Sequence, residues 1–208
     1  MHQILVGYAH DPIFDSNTLN KMYCFRHKVF YERLGWDVGN ENGIERDFYD
    51  ELNPIYMVAQ NNQNEVEACS RLLPTTGRYM LKDTFPQLLR GNEAPQNPLI
   101  WEVSRFAVLP NDKIERIQVT VNSLTFDMLR SFYDLARRHN IQRYILVTSA
   151  SLERLLKRTG LPISRFGNHK AQRVGKVLTV ACWVDINEQF RNVVYSEYDA
   201  QTAPRVAA

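Results

Sequence analysis

The sequence predicts one α/β domain, a mixed sheet sandwiched by helices, over residues 1–186 of a 208-residue chain. Three observations lead there. Apolar residues recur at helical spacing over residues 18–34 and about 118–139. Short apolar runs bounded by turn residues, at 54–60, 66–73 and 99–108, have the length of strands. From residue 99 onward strand and helix patterns alternate, as a parallel crossover requires. The first half thus supplies an antiparallel meander and the second half a strand–helix–strand unit.

Residues 3–8 (QILVGY) read as the first strand. In the helix that follows, Leu19, Met22, Tyr23, Arg26 and Phe30 share one face. Arg26 therefore lies in an apolar stripe, where a guanidinium is costly unless it is paired or reaches a ligand. Residues 35–53 show neither period and carry six acids, one base and three glycines. Loops of that length are usually functional or disordered, and Trp36, Phe48 and Tyr49 argue for order. The runs 54–60 and 66–73 flank NNQNE and form a hairpin, with Arg71 on the side of Cys69 and Leu73. Residues 75–98 are mostly turn, with a short helical piece near 80–90. The strand at 99–108 embeds Glu102 and Arg105 in an apolar run. Strict alternation sets these two on opposite faces, so one shared site would require a β-bulge between them; the sequence leaves both arrangements open.

The helix at 118–139 is marked by Val121, Leu124, Met128, Leu129, Phe132, Leu135 and Ala136. A strand at 144–148 leads into a basic helix at about 151–159, capped by Ser149 or Ser151 and stopped by Gly160 and Pro162. Two strands, roughly 163–167 and 177–186, complete the domain. Residues 187–208 read as a polar tail that frays.

A chain that is 44% hydrophobic and 23% charged is globular and not disordered. No apolar stretch reaches the roughly 20 residues needed to span a bilayer, and the first residues lack the basic start of a signal peptide. Cys24, Cys69 and Cys182 are odd in number and far apart, which points to free thiols in a reducing, cytoplasmic setting. The net charge of +2 hides an asymmetry: residues 130–176 hold eleven lysines and arginines against two acids, while residues 1–129 are acidic. A basic half suits an acidic macromolecule, and an acidic half suits a cation. No nucleic-acid-binding signature accompanies the basic stretch, in which His139 and His169 read as surface. Cys24-x-x-His27 has no second pair to complete a metal site, and there is no glycine-rich phosphate loop.

Arg26, Asp47, Asp50, Arg71, Glu102 and Arg105 are the charged residues that fit their surroundings least. Together they suggest one polar site with opposite charges paired inside it. Their contexts are recognisable. Arg26 to Phe30 and Leu34-Gly35-Trp36, the pair Asp47-x-x-Asp50, Arg71-Leu72-Leu73-Pro74-Thr75 and Glu102-Val103-Ser104-Arg105-Phe106 follow in order. Over about residues 1–186 this resembles the LuxI-type acyl-homoserine-lactone synthases. The resemblance implies an α/β/α sandwich with a mixed, mostly antiparallel sheet, similar to that of the N-acetyltransferases. It also implies a reaction in which the amine of S-adenosylmethionine takes an acyl chain from acyl carrier protein, or in some members coenzyme A. Closure of the lactone then releases methylthioadenosine, and S-adenosylmethionine is a substrate, so no cofactor is implied.

Under this resemblance Glu102, Ser104 and Arg105 fall at catalytic positions, and Arg26, Phe30, Trp36, Asp47, Asp50, Arg71, Arg105 and Phe106 at the S-adenosylmethionine site. Physical chemistry fits. Asp47 and Asp50 suit the positive groups, an arginine suits the carboxylate, and Phe30 and Trp36 offer ring faces to the sulfonium. Glu102 is the candidate base for the amine, with Arg71 and Arg105 as its expected partners, a setting that would keep its pKa low. Backbone N–H groups near Ser104 to Phe106 can meet the thioester oxygen if the strand splays. Thr148 falls in the acyl pocket of the resemblance, and Arg154, Lys157 and Arg158 form a docking face for an acidic carrier protein. The competing reading is an N-acyltransferase using acyl-coenzyme A, whose usual pyrophosphate loop is glycine-rich; residues 109–118 contain no glycine.

Overall fold

A computed structural model describes residues 2–36, 38, 42–109, 122–168 and 170–202 of the chain. The expectations for 110–121 and for His169 lie outside these residues.

Strand β1 (Gln3–Tyr8) leads through the Asp15 cap into helix α1 (Ser16–Arg26). Asp15 accepts the Thr18 N–H at 2.6 Å, which satisfies one of the free donors of the first turn. The helix continues as a π-helical stretch, His27–Arg33, so the expected single helix is one rod with a change of winding. Strands β2 (Ile55–Gln60) and β3 (Val66–Pro74) form the hairpin read from the sequence. Between Pro74 and the next strand lie the short helix α2 (Met80–Asp83) and a single 3-10 turn, Pro86–Leu89. Strand β4 (Ile100–Val108), helix α3 (Ser123–Arg138) and strand β5 (Arg143–Ser149) form the crossover, and β4 and β5 are parallel. Helix α4 (Ala150–Arg158) follows, capped by Ser149, whose Oγ accepts the Leu152 N–H. Strands β6 (Ile163–Arg165), β7 (Gln172–Val174) and β8 (Val177–Asp185) finish the sheet.

The sheet order is β1-β2-β3-β4-β5-β8-β6, with β7 also paired to β8. Every pairing except β4–β5 is antiparallel. One face carries the main core, where Met57, Leu72, Val103 and Leu146 meet Met128 and Phe132 of α3. On the other face α1 covers β1–β4 through Met22, Phe25 and Phe30 against Tyr56, Val58 and Cys69. The α2 region covers β5 and β8 there through Tyr79, Leu81 and Leu88 against Ile145 and Ala181. Helices on both faces of a mostly antiparallel sheet match the expected architecture. All three cysteines are unpaired, and no described helix is long and apolar enough to cross a membrane.

One expectation is corrected. The segment after Asn187 is a helix, α5 (Glu188–Thr202), and not a fraying tail from its start. Phe190 and Val194, four residues apart, are buried in the main core against α3. The Tyr195 hydroxyl meets Asp134, and Arg130 donates to the Val194 carbonyl at 3.1 Å. The low hydrophobicity of the segment hid a narrow apolar stripe, which is all that a helix lying on another helix needs. Phe190→Ala should therefore cost about 3–5 kcal/mol of stability, the usual range for emptying a buried aromatic site. A urea titration that gave the parental midpoint would show the helix to be dispensable.

Candidate active site

One inserted residue in β4 sets the site. The β3–β4 ladder pairs Arg71 with Ser104 and Cys69 with Ala107, so a register shift lies between them. Arg105 takes up the extra length with φ 53°, a left-handed conformation that is uncommon for a side chain this large. Before the bulge, Trp101 and Val103 face the main core; after it, Phe106 and Val108 do. Ser104 and Arg105 therefore both follow Glu102 onto the opposite face, under α1 and the acidic loop. The bulge anticipated as one of two arrangements is present. It also turns Phe106 away from the other predicted binding residues, onto Phe132 at 5.8 Å between ring centres.

The same bulge opens the sheet. The β4–β5 pairing runs only from Ile100–Arg143 to Val103–Leu146. Beyond it β4 stays with β3, whereas β5 continues along β8 to Ser149. The backbone groups of Ser104 to Phe106 that face β5 are left without a ladder partner, as the oxyanion reading requires. Thr148 is buried on the far side of this split, on the β5 face that also carries Tyr144 and Leu146.

Beneath α1 three arginines meet three carboxylates. Arg26 grips Asp50 with both terminal nitrogens, at 2.8 and 3.0 Å, and pairs with Glu45 through Nε. Arg71 binds Asp47 and reaches Asp50 at 2.9 Å, while its Nε donates to the Ser104 hydroxyl at 3.1 Å. Arg105 spans Glu45 and Asp47, each at 2.8 Å. The acidic loop is shaped to present these groups: Asp47 accepts the Tyr49 N–H, and Asp50 accepts the Asp47 N–H, around a short turn at Phe48–Glu51. Tyr56 donates to Asp50 at 2.7 Å and touches the Tyr23 hydroxyl. Burial alone would raise the Asp50 carboxyl, but the Arg26 and Arg71 charges hold it well below its usual range. Glu45 is lowered in the same way, with Arg105 and Arg26 outweighing burial.

This arrangement changes the reading of the charged residues. Arg26, Arg71 and Asp50 are all but inaccessible, and they hold one another and their neighbours. The arginines expected to take the substrate carboxylate are each already paired, and Asp47 and Asp50 are already neutralised. Of the carboxylates, Asp47 keeps the most exposure, 20% for its side chain, and with Arg105 it forms the rim of the network. The Phe30 and Trp36 rings lie 5.1 Å apart beside it, and the Arg105 guanidinium sits over Phe30.

Glu102 stands apart from the network. Its carboxylate accepts the N–H groups of Met80 and Leu81, at 2.8 and 2.7 Å, and makes no ion pair among the described residues. The expectation of a carboxylate clamped by Arg71 and Arg105, with a low pKa, is not met. Burial pushes the group up to about 7, although the two N–H groups and the more distant arginine charges oppose that. A buried acid poised there can take up or release a proton near neutral pH.

On α4, Arg154, Lys157 and Arg158 are exposed as expected. Lys157 is tied at 2.8 Å to Glu153, which is itself buried and also holds Arg165 at 2.7 Å. Sequence reasoning missed Glu45, Met80 and Glu153. Glu45 gives no separate signal in the sequence, because Asp47, Asp50 and Glu102 already balance the three arginines there. Among the described residues no group of His, Cys, Asp and Glu could hold a metal ion.

Known proteins share this site's frame. A sequence model of the family described as autoinducer synthase matches residues 12–193. The acyl-homoserine-lactone synthase of Vibrio anguillarum is 42% identical over 167 residues, 80% of this chain and 85% of that protein. That of Pseudomonas aeruginosa is 39% identical over 184 residues, 88% and 89% of the two chains. The crystal structure of the AHL synthase LasI superposes with a TM-score of 0.83 at 35% identity, covering 94% of this chain and 95% of the other. TofI, solved in a ternary complex with an inhibitor and MTA, gives 0.77 at 31% identity, covering 92% and 96%. An N-acetyltransferase of Lactobacillus plantarum, described as putative, shares the fold alone, with a TM-score of 0.56 at 13% identity over 88% of this chain and 99% of that one.

The network predicts an acid-sensitive stability. Folded-state values of Glu45 and Asp50 lie below their ordinary ones. Their stabilisation is therefore complete above the ordinary carboxylate range and is lost as pH falls through the lowered values. Glu45→Gln leaves Arg26 and Arg105 short of a counter-charge and should cost about 3–5 kcal/mol at neutral pH. The difference from the parent should shrink at pH 3, below the ordinary carboxylate range, where Glu45 of the unfolded chain already holds its proton; denaturation curves at the two pH values measure it, and a pH-independent difference would contradict the account.

Proposed function

The chain belongs to the autoinducer synthase family, and from that premise we propose that it is an acyl-homoserine-lactone synthase that draws its acyl group from acyl carrier protein. The observation that carries the mechanism is Glu102, a buried carboxyl held near neutrality beside the split between β4 and β5. The α-ammonium of S-adenosylmethionine must lose a proton before it can attack. An ionised Glu102 accepts that proton, directly or through a water. The freed amine adds to the thioester carbonyl, whose oxygen takes up charge beside backbone N–H groups of Ser104 to Phe106, a stretch with no β5 ladder partner. Collapse breaks the carbon–sulfur bond, forms the amide and returns the thiol with a proton. The methionine carboxylate then attacks its own γ-carbon, the sulfonium leaves as methylthioadenosine, and the lactone is closed.

Asp47 and Arg105 at the rim, with Phe30 and Trp36, are the residues that meet the charged and sulfonium ends of this substrate. Arg26, Arg71 and Asp50 hold them in place, and Ser104 is fixed by Arg71. Phe106 and Thr148 line the acyl side of the split. The carrier-protein assignment rests on exposed Arg154 and Arg158, which suit an acidic surface; Lys157 shares its charge with Glu153. Three free thiols fit a reducing cytoplasm.

Glu102→Gln keeps the shape of the side chain and removes the base. Acylation should fall by roughly 100-fold, with the acidic limb of kcat/KM moving from near 7 toward the amine's own value of about 8. An unchanged rate and profile, followed by thiol release, would remove Glu102 from the chemistry. Changing Arg154 and Arg158 together to Glu should slow turnover of acyl carrier protein in a salt-dependent way and spare a small uncharged acyl thioester. Equal losses with both donors would move the docking surface elsewhere, and a loss confined to acyl-coenzyme A would replace the donor.

A further inference from the structure

Met80 touches both halves of the site, the arginine network through its side chain and Glu102 through its backbone. Its sulfur lies 3.2 Å from Arg71 Nη2 and 3.3 Å from Arg105 Nη1. Its own N–H is one of the two that hold Glu102. The residue is buried, packed with Tyr49 and Leu73, and Leu73 is the cross-strand partner of Glu102. The thioether thus takes a donor from each of two guanidinium groups, on the residue whose amide holds the carboxylate.

Sulfur is a weak acceptor and carries no charge. It can occupy the inward donors of Arg71 and Arg105 without drawing them strongly, while their other donors go to Asp47, Glu45 and Ser104. A carboxylate at that position would pull both arginines away from the acidic loop. An empty space would let them swing toward Glu102, the nearest buried anion not already shared. Helix α2, being a single turn, contributes little field of its own; what it supplies is two aimed N–H groups and the side chain of its first residue.

We propose that Met80 is a positioning residue for Glu102: its amide orients the carboxylate, and its thioether keeps Arg71 and Arg105 from closing an ion pair on it. The inference rests on the base role given to Glu102 above. It explains why a carboxylate on the same face as two arginines is not one of their partners. The groups that face Glu102 are Arg71 from β3, Arg105 from β4, Tyr79 from the segment before α2 and Tyr49 from the acidic loop, with Asp83 of α2 near both tyrosines. Both tyrosines are raised by burial and stay neutral through the range in question. Asp83 is engaged by Arg78 at 3.0 Å. Among the described residues, Arg71 and Arg105 are the cations whose charge acts most on Glu102.

The test reads the carboxyl itself. In the full-length protein the infrared carbonyl stretch of protonated Glu102, assigned by its loss in Glu102→Gln, is titrated in the parent, in Met80→Ala and in Met80→Leu. Met80→Ala empties the space and should lower the midpoint by at least about one pH unit, the effect of an opposite charge moving into contact. Met80→Leu keeps the bulk and the amide but loses the acceptor, and should fall between Ala and the parent; it also keeps the test decisive if the Ala variant does not fold. The acidic limb of kcat/KM should move with the band. An unshifted midpoint in folded Met80→Leu, and in Met80→Ala where that folds, overturns the role of Met80. A shifted midpoint with an unmoved rate profile upholds it and overturns the base role of Glu102 instead.

Discussion

A guanidinium group carries five donors and a charge that no buried position tolerates without compensation. Three such groups lie within one small volume of this protein, and the front half of the fold is arranged around them. Arg26 comes from α1, Arg71 from β3 and Arg105 from β4. The carboxylates that meet them all come from one loop, at Glu45, Asp47 and Asp50. The described part of the loop carries one 3-10 turn, Phe48–Glu51, and packs Ile44 and Tyr49 inward. Its shape follows from having to deliver three anions to three fixed cations, with Asp47 and Asp50 at once capping the turn and neutralising arginines. A helix, a loop and two strands are thereby locked together by charge where elsewhere they would be locked by packing.

The bulge at Arg105 is what makes three and not two. In an unbroken β4, Arg105 would point into the main core among Val103 and Phe132, where nothing offers it a charge. One residue of extra length sends it to the other face, and the strained φ of 53° is the local cost of that turn. The same residue ends the pairing of β4 with β5. The opening of the sheet and the assembly of the ion-pair network are thus two results of one insertion, which ties the split between β4 and β5 to the polar site across a distance of a few residues.

Much of this was legible in the sequence. Arg26 in an apolar stripe announced a buried partner, the loop at 35–53 announced an ordered acidic segment, and Glu102 with Arg105 in one apolar strand posed the question that the bulge answers. The crossover from β4 to β5 followed from element order alone. What could not be read was who pairs with whom. Glu45 sits at no periodic position, and its role depends on how a loop folds back under α1. Helix α5 was hidden because Phe190 and Val194 form a stripe only four residues apart in a polar segment, enough for packing on α3 but too little for a periodic signal. Met80 carries no charge, so a search among ionisable residues passes over it.

The contrast between Asp50 and Glu102 shows why that matters. Both are buried carboxyls on the same side of the sheet, and the Arg71 charge acts on each. Asp50 is in contact with Arg26 and Arg71 and stays ionised far into the acid range. Glu102 accepts two backbone N–H groups and no arginine donor, and its acid form persists to near neutrality. Burial acts on both alike; direct contact with a cation decides between them. A side chain as bland as methionine, inserted at the right point, is enough to separate a carboxylate that holds the fold from one free to exchange a proton. The neutral-range titration of Glu102 is then a property of its neighbours' engagements, since Arg71 and Arg105 are occupied by the acids of the loop.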